Sequence, residues 1–466
     1  MARTGHGVKR PIWRWATAIM ALLAMLAAAS LANAQRAGLS VARDSEIEET
    51  LRIYSEPLFR AAGVEPGSVR IVLVQDRSLN AFVADGQNMF IHTGLIMAAR
   101  NANELKGVIA HETGHIAGGH LARTRDAIQQ AQMPGLLTMG LGILAIAAGE
   151  PTAGAALITG SGQISMGAFV EFFSRAQESS ADQAAITYLD ATGQSGRGLL
   201  DFADRQFRYN EMLSINRAPP WMRTHPLWSD RIQALRVRVN ASQFVNAPEP
   251  AGDAERFAMM QAKLFGYLES PPSTLRRYPS TDTSKPARYA RAIAAMRDSR
   301  LADALREARA LLSEDPANPF FMELSGEIAL EMSDPKTAVD YHRQALALRP
   351  NDALMRINLA RALLAPAQNA GVEEAILHLQ RAGVIEPNNT AAWSLISQAY
   401  DRMGQPGLAQ LSQAELRYAI GDFAGAVSFA TRARDGLSRG TPAFTRAADI
   451  LTLSRTMMSA RERRGG

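Results

Sequence analysis

The spacing of apolar and polar positions predicts a chain that is mainly helical with one small sheet. Residues 38–62 read as helix, with charge pairs around Glu46, Glu48, Glu49 and Arg52. Val69–Val74 is rich in β-branched residues and predicts a buried strand. Asn80–Ala84, an Asp85-Gly86 turn and Asn88–His92 predict a hairpin. Gly94 begins a switch back to helix. Asn103 is the expected N-cap of the next helix, with Glu104 in its first turn. That helix is expected to run through Leu105, Val108 and Ile109 into His111 and on to about Gln130. Residues 134–170 are Gly-, Ala-, Leu- and Ile-rich with one charge, Glu150. Glu150-Pro151 splits them into two arms, each too short and Gly-rich for a clear membrane span. Two readings stand open for them: core helices or a Gly/Ala loop over a site, and an amphipathic flap that dips into a membrane. Helical pattern resumes over 171–241, and Arg256–Leu268 reads as a further amphipathic helix.

Segment 269–287, with Pro271, Pro272, Pro279 and Pro286, has the composition of a linker. Beyond it the chain repeats. Asp315-Pro316, Arg349-Pro350 and Glu386-Pro387 recur at spacings of 34 and 37 residues. A period of 34 is the tetratricopeptide length. On that grid Ala304, Gly326, Ala338, Ala345, Ala375 and Ala382 fall where small residues let paired helices approach. Trp393 and Tyr400 open the next unit, three residues are added in the 365–371 turn, and the last pair after Gly421-Asp422 is degenerate. Stacked helical hairpins form a concave surface that holds a peptide or a partner. The expected division is 1–34 signal peptide, 35–268 catalytic domain, 269–287 linker and 288–460 repeat domain.

The signal-peptide reading rests on three parts: a basic stretch to Arg14, an apolar run from Ala16 to about Leu31, and Ala32-Asn33-Ala34 as cleavage site. The run is short for a span of about 20 residues, which favours cleavage over a retained anchor. The chain has no Cys, so no lipid attachment at Cys is expected, and the composition suits an oxidising compartment such as a periplasm. The net charge of +5 changes meaning once Arg3, Lys9, Arg10 and Arg14 are removed with the signal. The remainder carries 46 basic against 45 acidic residues and makes no electrostatic case for nucleic acid. The 466 residues exceed what one core usually supports, consistent with two domains.

His111-Glu112-Thr113-Gly114-His115 carries the chemistry. Four residues turn a helix by about 400°, so both imidazoles share one face about 6 Å apart along the axis. That suits two of four tetrahedral zinc positions, with Glu112 beside the first ligand to act on a water. His120 lies five residues past His115, about 140° round a continuing helix, and a metzincin third ligand would fall on Leu121. His120 is therefore expected to pack, or to support a ligand, rather than to ligate. Glu178 and Asp182 are four apart and share a helix face. One carboxylate can bind metal while the other accepts the outer N–H of a ligating His. His225, before Pro226, sits in a non-helical position. It can stabilise an oxyanion, latch the open coordination site, or be a structural loop residue, and Arg231 can support charge nearby. His92, His342 and His378 show no partner pattern and read as surface or packing residues.

Four blocks occur together and in order: Asn80-Ala81-Phe82 with Gly94-Leu95-Ile96, His111–His115, Gln177-Glu178 with Ala181-Asp182, and Thr224-His225-Pro226 with Arg231. In these the chain resembles the zinc metallopeptidase family that includes CAAX prenyl endopeptidases and the heat-shock membrane protease HtpX. The resemblance implies a zincin-type domain followed by an α-solenoid of tetratricopeptide repeats, α+β overall. It implies one zinc ion on His111, His115 and Glu178, Glu112 as general base, Asp182 hydrogen-bonded behind a ligand, and His225 as a regulatory or transition-state histidine. Members with a signal peptide and such repeats degrade or help assemble outer-membrane β-barrel proteins and contact their insertion machinery. Those are the implied partners, in the periplasm. The edge at Asn80, Ala81 and Phe82 can take substrate as an added strand. Two further expectations stand beside peptide hydrolysis. One is a chaperone acting through the repeats with the zinc site latched; the other is membrane contact, peripheral or spanning, through 134–170.

Overall fold

The computed structural model describes residues 40–84, 87–120, 164–212, 225, 229–366 and 370–465, with side chains left aside over 164–174, 209–212 and 461–465. The signal region 1–34, the turn at 85–86, residues 121–163, Thr224 and Pro226 lie outside the described residues. So do most of the apolar arms at 134–170 and the tip of the 365–371 turn.

Helix α1 (Ser45–Ala61) is capped by Asp44, whose side chain accepts from the Ile47 N–H, and buries Ile47, Leu51, Tyr54, Leu58 and Phe59. Three strands follow: β1 (Arg70–Val74), β2 (Ala81–Ala84) and β3 (Asn88–His92). The expected hairpin forms, β2 antiparallel to β3 with Phe82 opposite Phe90. β1 lies parallel to β3, so the order is β1-β3-β2 and β2 is an outer strand. After α2 (Thr93–Ala98) comes α3 (Ala102–Ala117), which packs against α4 (Ile164–Ala191) and α5 (Arg197–Met212). α6 (Ser229–Ala241) closes over α4 and α5, and α7 (Asp253–Leu268) lies against α1 and α2.

Two features of α3 differ from the sequence reading. Its N-cap is Asn101, in extended conformation, whose side chain accepts from the Glu104 N–H. The expected cap, Asn103, lies inside the helix, and its side chain holds Ser195 O and the Gly198 N–H. The helix also stops at Ala117, not near Gln130: Gly118 caps it and Gly119 takes φ +59, a left-handed turn open to glycine at little cost.

The α3–α4 crossing is unusually close. A Cβ on Gly114 would stand 2.8 Å from the Ala181 carbonyl oxygen, nearer than any side chain tolerates. Glycine here lets the helix carrying the two histidines approach the helix carrying the two carboxylates.

The span read as linker contains a helix, α8 (Pro271–Arg277), with prolines in its first turn and Ser270 as N-cap. Prolines there cost nothing because the first N–H groups of a helix are unpaired anyway. From α9 (Lys285–Arg297) the chain runs in antiparallel helices: α10 (Leu301–Glu314), α11 (Pro319–Glu331), α12 (Pro335–Leu348), α13 (Ala353–Leu364), α14 (Val372–Ile385), α15 (Thr390–Arg402), α16 (Pro406–Ala419), α17 (Phe423–Gly436) and α18 (Pro442–Gly465). The small residues of the repeat grid sit at the contacts: Ala304, Ala338, Ala345, Ala375 and Ala382 are buried. Gly326 faces the ring of the buried His342. No helix of the described residues is long and apolar enough to cross a membrane.

The array begins directly on the first domain, with α9 against α7. At the junction Lys263, 4% exposed, lies 2.7 Å from Asp44 and 3.2 Å from Glu46, with Glu323 of α11 at 3.9 Å. Tyr289 donates to Glu46 and Asn358 to Glu323. Outside this cluster, Arg43 pairs with Glu386 and Arg349 with Glu49. Burial lifts the Glu323 carboxyl to about 8 despite the attraction of Lys263. A carboxyl raised in the folded state contributes stability that is complete below its unfolded value and is lost as pH rises through 8. Glu323→Gln keeps an acceptor for Asn358 and removes that loss. Its melting temperature is therefore expected to exceed the parent's at pH 9, by about 2–4 °C per kcal/mol recovered, with the gap closing toward pH 5.

Candidate metal centre

α3 projects His111 and His115 from one face, and α4 brings Glu178 over them. His225, four residues before α6, joins them. His111 Nε2 lies 3.1 Å from His115 Nε2, 3.3 Å from Glu178 and 3.2 Å from His225 Nδ1. Glu178 is 3.3 Å from His115 Nε2 and 3.2 Å from His225 Nδ1. One ligand atom from each of His111, His115, Glu178 and His225 lies within 4.8 Å of the others, the crowding expected of donors that share one ion at about 2 Å. Among the described residues this is the one cluster of His, Asp and Glu with metal-donor geometry.

The electrostatics also call for a cation. Burial raises the Glu178 carboxyl, but His225, Arg231 and His115 override it and hold it well below the ordinary range. Burial likewise opposes ionisation of Asp182, yet Arg231 and His111 bring it down to about 2. Burial pushes His111 down, but its hydrogen bonds to Asp182 and Glu178 dominate and lift it to about 9. The carboxylates thus favour positive charge on the ligand face. Burial lowers His115, which favours the neutral form able to ligate.

A second layer orients these donors. Asp182 Oδ1 lies 2.9 Å from His111 Nδ1, which leaves Nε2 to face the centre. Arg231, 6% exposed, grips Asp182 through Nε at 2.6 Å and Nη2 at 2.9 Å, and reaches Glu178 through Nη1 at 2.8 Å. The sequence placed charge support at Arg231; the bridge across both carboxylates comes only from the fold. Behind His115, His120 Nδ1 lies 3.0 Å from His115 Nδ1. The expected 140° offset does not apply, because the glycine turn after Ala117 folds His120 back.

Glu112 is 1% exposed, and its carboxylate is 3.3 Å from His225 Nε2. It stands beside the donor set without joining it. β2 borders the site. Asn80 and His92 are paired by a main-chain bond, so in the alternating ladder the polar groups of Ala81 and Val83 point to the free edge. The Ala81 carbonyl already accepts from His225 Nε2 at 3.3 Å. Phe82 stacks on Phe90 with ring centres 4.9 Å apart, bracing this edge. His92, read as packing, is buried against Phe82 and held by Ser78. His342 is buried in the repeats and His378 lies beside Arg356.

The close approach of Gly114 to Ala181 escaped the sequence reading. The signal was present: a glycine within the motif, and Ala181 between the two acids.

Residues 45–239 match the family model for peptidase family M48. The chain is 28% identical over 343 residues to the beta-barrel assembly-enhancing protease of Escherichia coli (strain K12), covering 70% of this chain and 66% of that one. Its counterpart in Yersinia pestis is 26% identical over 343 residues, covering 71% and 68%. Metalloprotease YcaL of Escherichia coli (strain K12) is 28% identical over 174 residues, covering 37% and 63%. The chain thus spans about two thirds of the length of the curated relatives it matches. The donor cluster, Glu112, Asp182 and Arg231 all lie inside the span, residues 45–239, that matches the model for peptidase family M48.

Proposed function

We propose that this chain is an exported zinc-dependent endopeptidase of the periplasm that serves the quality control and assembly of outer-membrane β-barrel proteins. The observation that carries the reading is the convergence of His111, His115, Glu178 and His225 beside the buried carboxylate of Glu112. Zinc in that cluster would supply Lewis acidity, lowering the pKa of a water to about 7 and polarising a scissile carbonyl. Glu112 takes the proton of the attacking water and returns it to the leaving amine. Ala81 and Val83 hold an extended substrate through main-chain bonds, a mode that reads backbone more than side chains and suits unfolded β-barrel segments. The relatives named for barrel assembly support that substrate class, and the repeat array supplies a surface for the insertion machinery or for unfolded clients.

The position of His225 favours a latched resting form. Its Nδ1 lies 3.2 Å from His111 Nε2 among the donors, and its Nε2 lies within reach of both Ala81 O and Glu112. Catalysis then requires His225 to withdraw. Purified protein with one equivalent of zinc is expected to cleave an unfolded outer-membrane barrel protein and to lose that activity to a chelator. His225→Ala is expected to cleave faster, tenfold or more if the open form is about 10% populated or less. A fall in rate would assign His225 to transition-state stabilisation. Failure of the zinc-loaded parent and of His225→Ala alike to cleave would sink the peptidase reading. The chaperone reading draws on the same latch, since a closed site leaves the repeats free to act.

A further inference from the structure

The two histidines of α3 are held from behind by different chemistry. His111 has a carboxylate, Asp182, on Nδ1. His115 has an imidazole, His120, on Nδ1. We propose that His120 is a positioning residue for the metal site, accepting the Nδ1–H of His115 and thereby fixing its ring so that Nε2 faces the ion. The inference rests on the zinc reading above.

The tautomers follow from the geometry. His115 Nε2 faces His111 Nε2 at 3.1 Å and Glu178 at 3.3 Å, so Nε2 is the ligand atom. A neutral imidazole that ligates through Nε2 carries its proton on Nδ1. The 3.0 Å contact between the two Nδ1 atoms then has one assignment: His115 donates, and His120 accepts with its own proton on Nε2. The ring planes are inclined at 80°, with centres 5.0 Å apart, a separation that places the two Nδ1 atoms between the rings.

The backbone is shaped for this contact. A helix continuing past Ala117 would carry His120 about 140° away from His115. Gly119 at φ +59 breaks the helix. A Cβ on Gly118 would meet His120 Nε2 at 2.5 Å, so glycine leaves the room that the returning ring fills. Gln177 of α4, next to Glu178, donates to the His120 carbonyl at 3.3 Å and ties the turn to the helix that bears the third ligand. His120 itself is 5% exposed. A neutral acceptor here leaves His115 a weaker donor to the metal than His111, whose carboxylate partner raises ligand basicity.

The test measures zinc affinity by chelator competition on the full chain, without any substrate. Partners behind metal ligands are worth about 10–100-fold in affinity. His120→Phe keeps a ring and removes the acceptor; His120→Gln loses the ring and keeps an acceptor. Positioning predicts a 10–100-fold loss for His120→Phe and a loss under tenfold for His120→Gln. Packing alone predicts the reverse, and parent-like zinc binding by His120→Phe overturns the proposal. Should His120→Phe fail to fold, as judged by its metal-free melting curve, His120→Gln decides: a loss of tenfold or more overturns the proposal. A parent chain that binds no zinc would instead sink the metallopeptidase reading, and absent proteolysis with intact zinc affinity would leave this inference standing.

Discussion

Glu112→Gln is expected to lower peptide hydrolysis by about 10²–10⁴-fold while the chain still binds one zinc. The carboxylate stands next to His111 in sequence yet outside the group of four donors. Removing its charge therefore leaves the four donor atoms untouched. Glutamine has the same shape but cannot take a proton from water. It can still contact His225, now 3.3 Å from the Glu112 carboxylate, so the resting geometry is expected to persist. The measurement pairs cleavage of an unfolded barrel protein with zinc stoichiometry. Cleavage above one tenth of the parent rate, with contaminating proteases excluded, would remove Glu112 as the base. Barrel assembly promoted by a variant that cannot cleave would assign that activity to the repeats.

Arg231→Met is expected to cost about 3–5 kcal/mol of stability in the metal-free protein. The side chain is buried and makes three charge-assisted bonds, two to Asp182 and one to Glu178. Without it two carboxylates remain buried with their cation gone. At roughly 2–4 °C per kcal/mol, the melting temperature should fall on the order of 10 °C. Acid supplies a check on the cause. The Asp182 carboxyl is depressed to about 2, so its contribution is present above its unfolded value near 4 and is lost as pH falls through 2. Most of that contribution depends on Arg231, so the gap between parent and variant is expected to narrow between pH 4 and pH 2. Excess zinc should recover part of the loss at pH 7 by returning positive charge to Glu178. A variant that melts within 2 °C of the parent in the absence of metal would show that the bridge is not a structural requirement.

Features set by spacing along one element were legible without coordinates. His111 and His115 share a face because four residues are about one helical turn. Glu178 and Asp182 do so for the same reason. The 34-residue grid marked Ala304, Gly326, Ala338, Ala345, Ala375 and Ala382 as helix contacts, because a helical hairpin of fixed length repeats its close approach at fixed intervals. Local rules failed where two local solutions competed. Asn101 and Asn103 are both good caps, and the choice fell to tertiary bonds: Asn103 gives its N–H to Glu249 and its side chain to Ser195 and Gly198.

The sequence left His225 as a latch, an oxyanion stabiliser or a loop residue, and its place among the donors comes from the fold. His225 is 114 residues from His111 and 47 from Glu178, and no periodicity spans such distances. The same holds for Arg231 across Asp182 and Glu178, for β1 alongside β3, and for Lys263 among acids from two domains. Spacing specifies angles within an element. Which elements meet depends on where their apolar faces are buried and how near their backbones can come, as Gly114 against Ala181 makes plain.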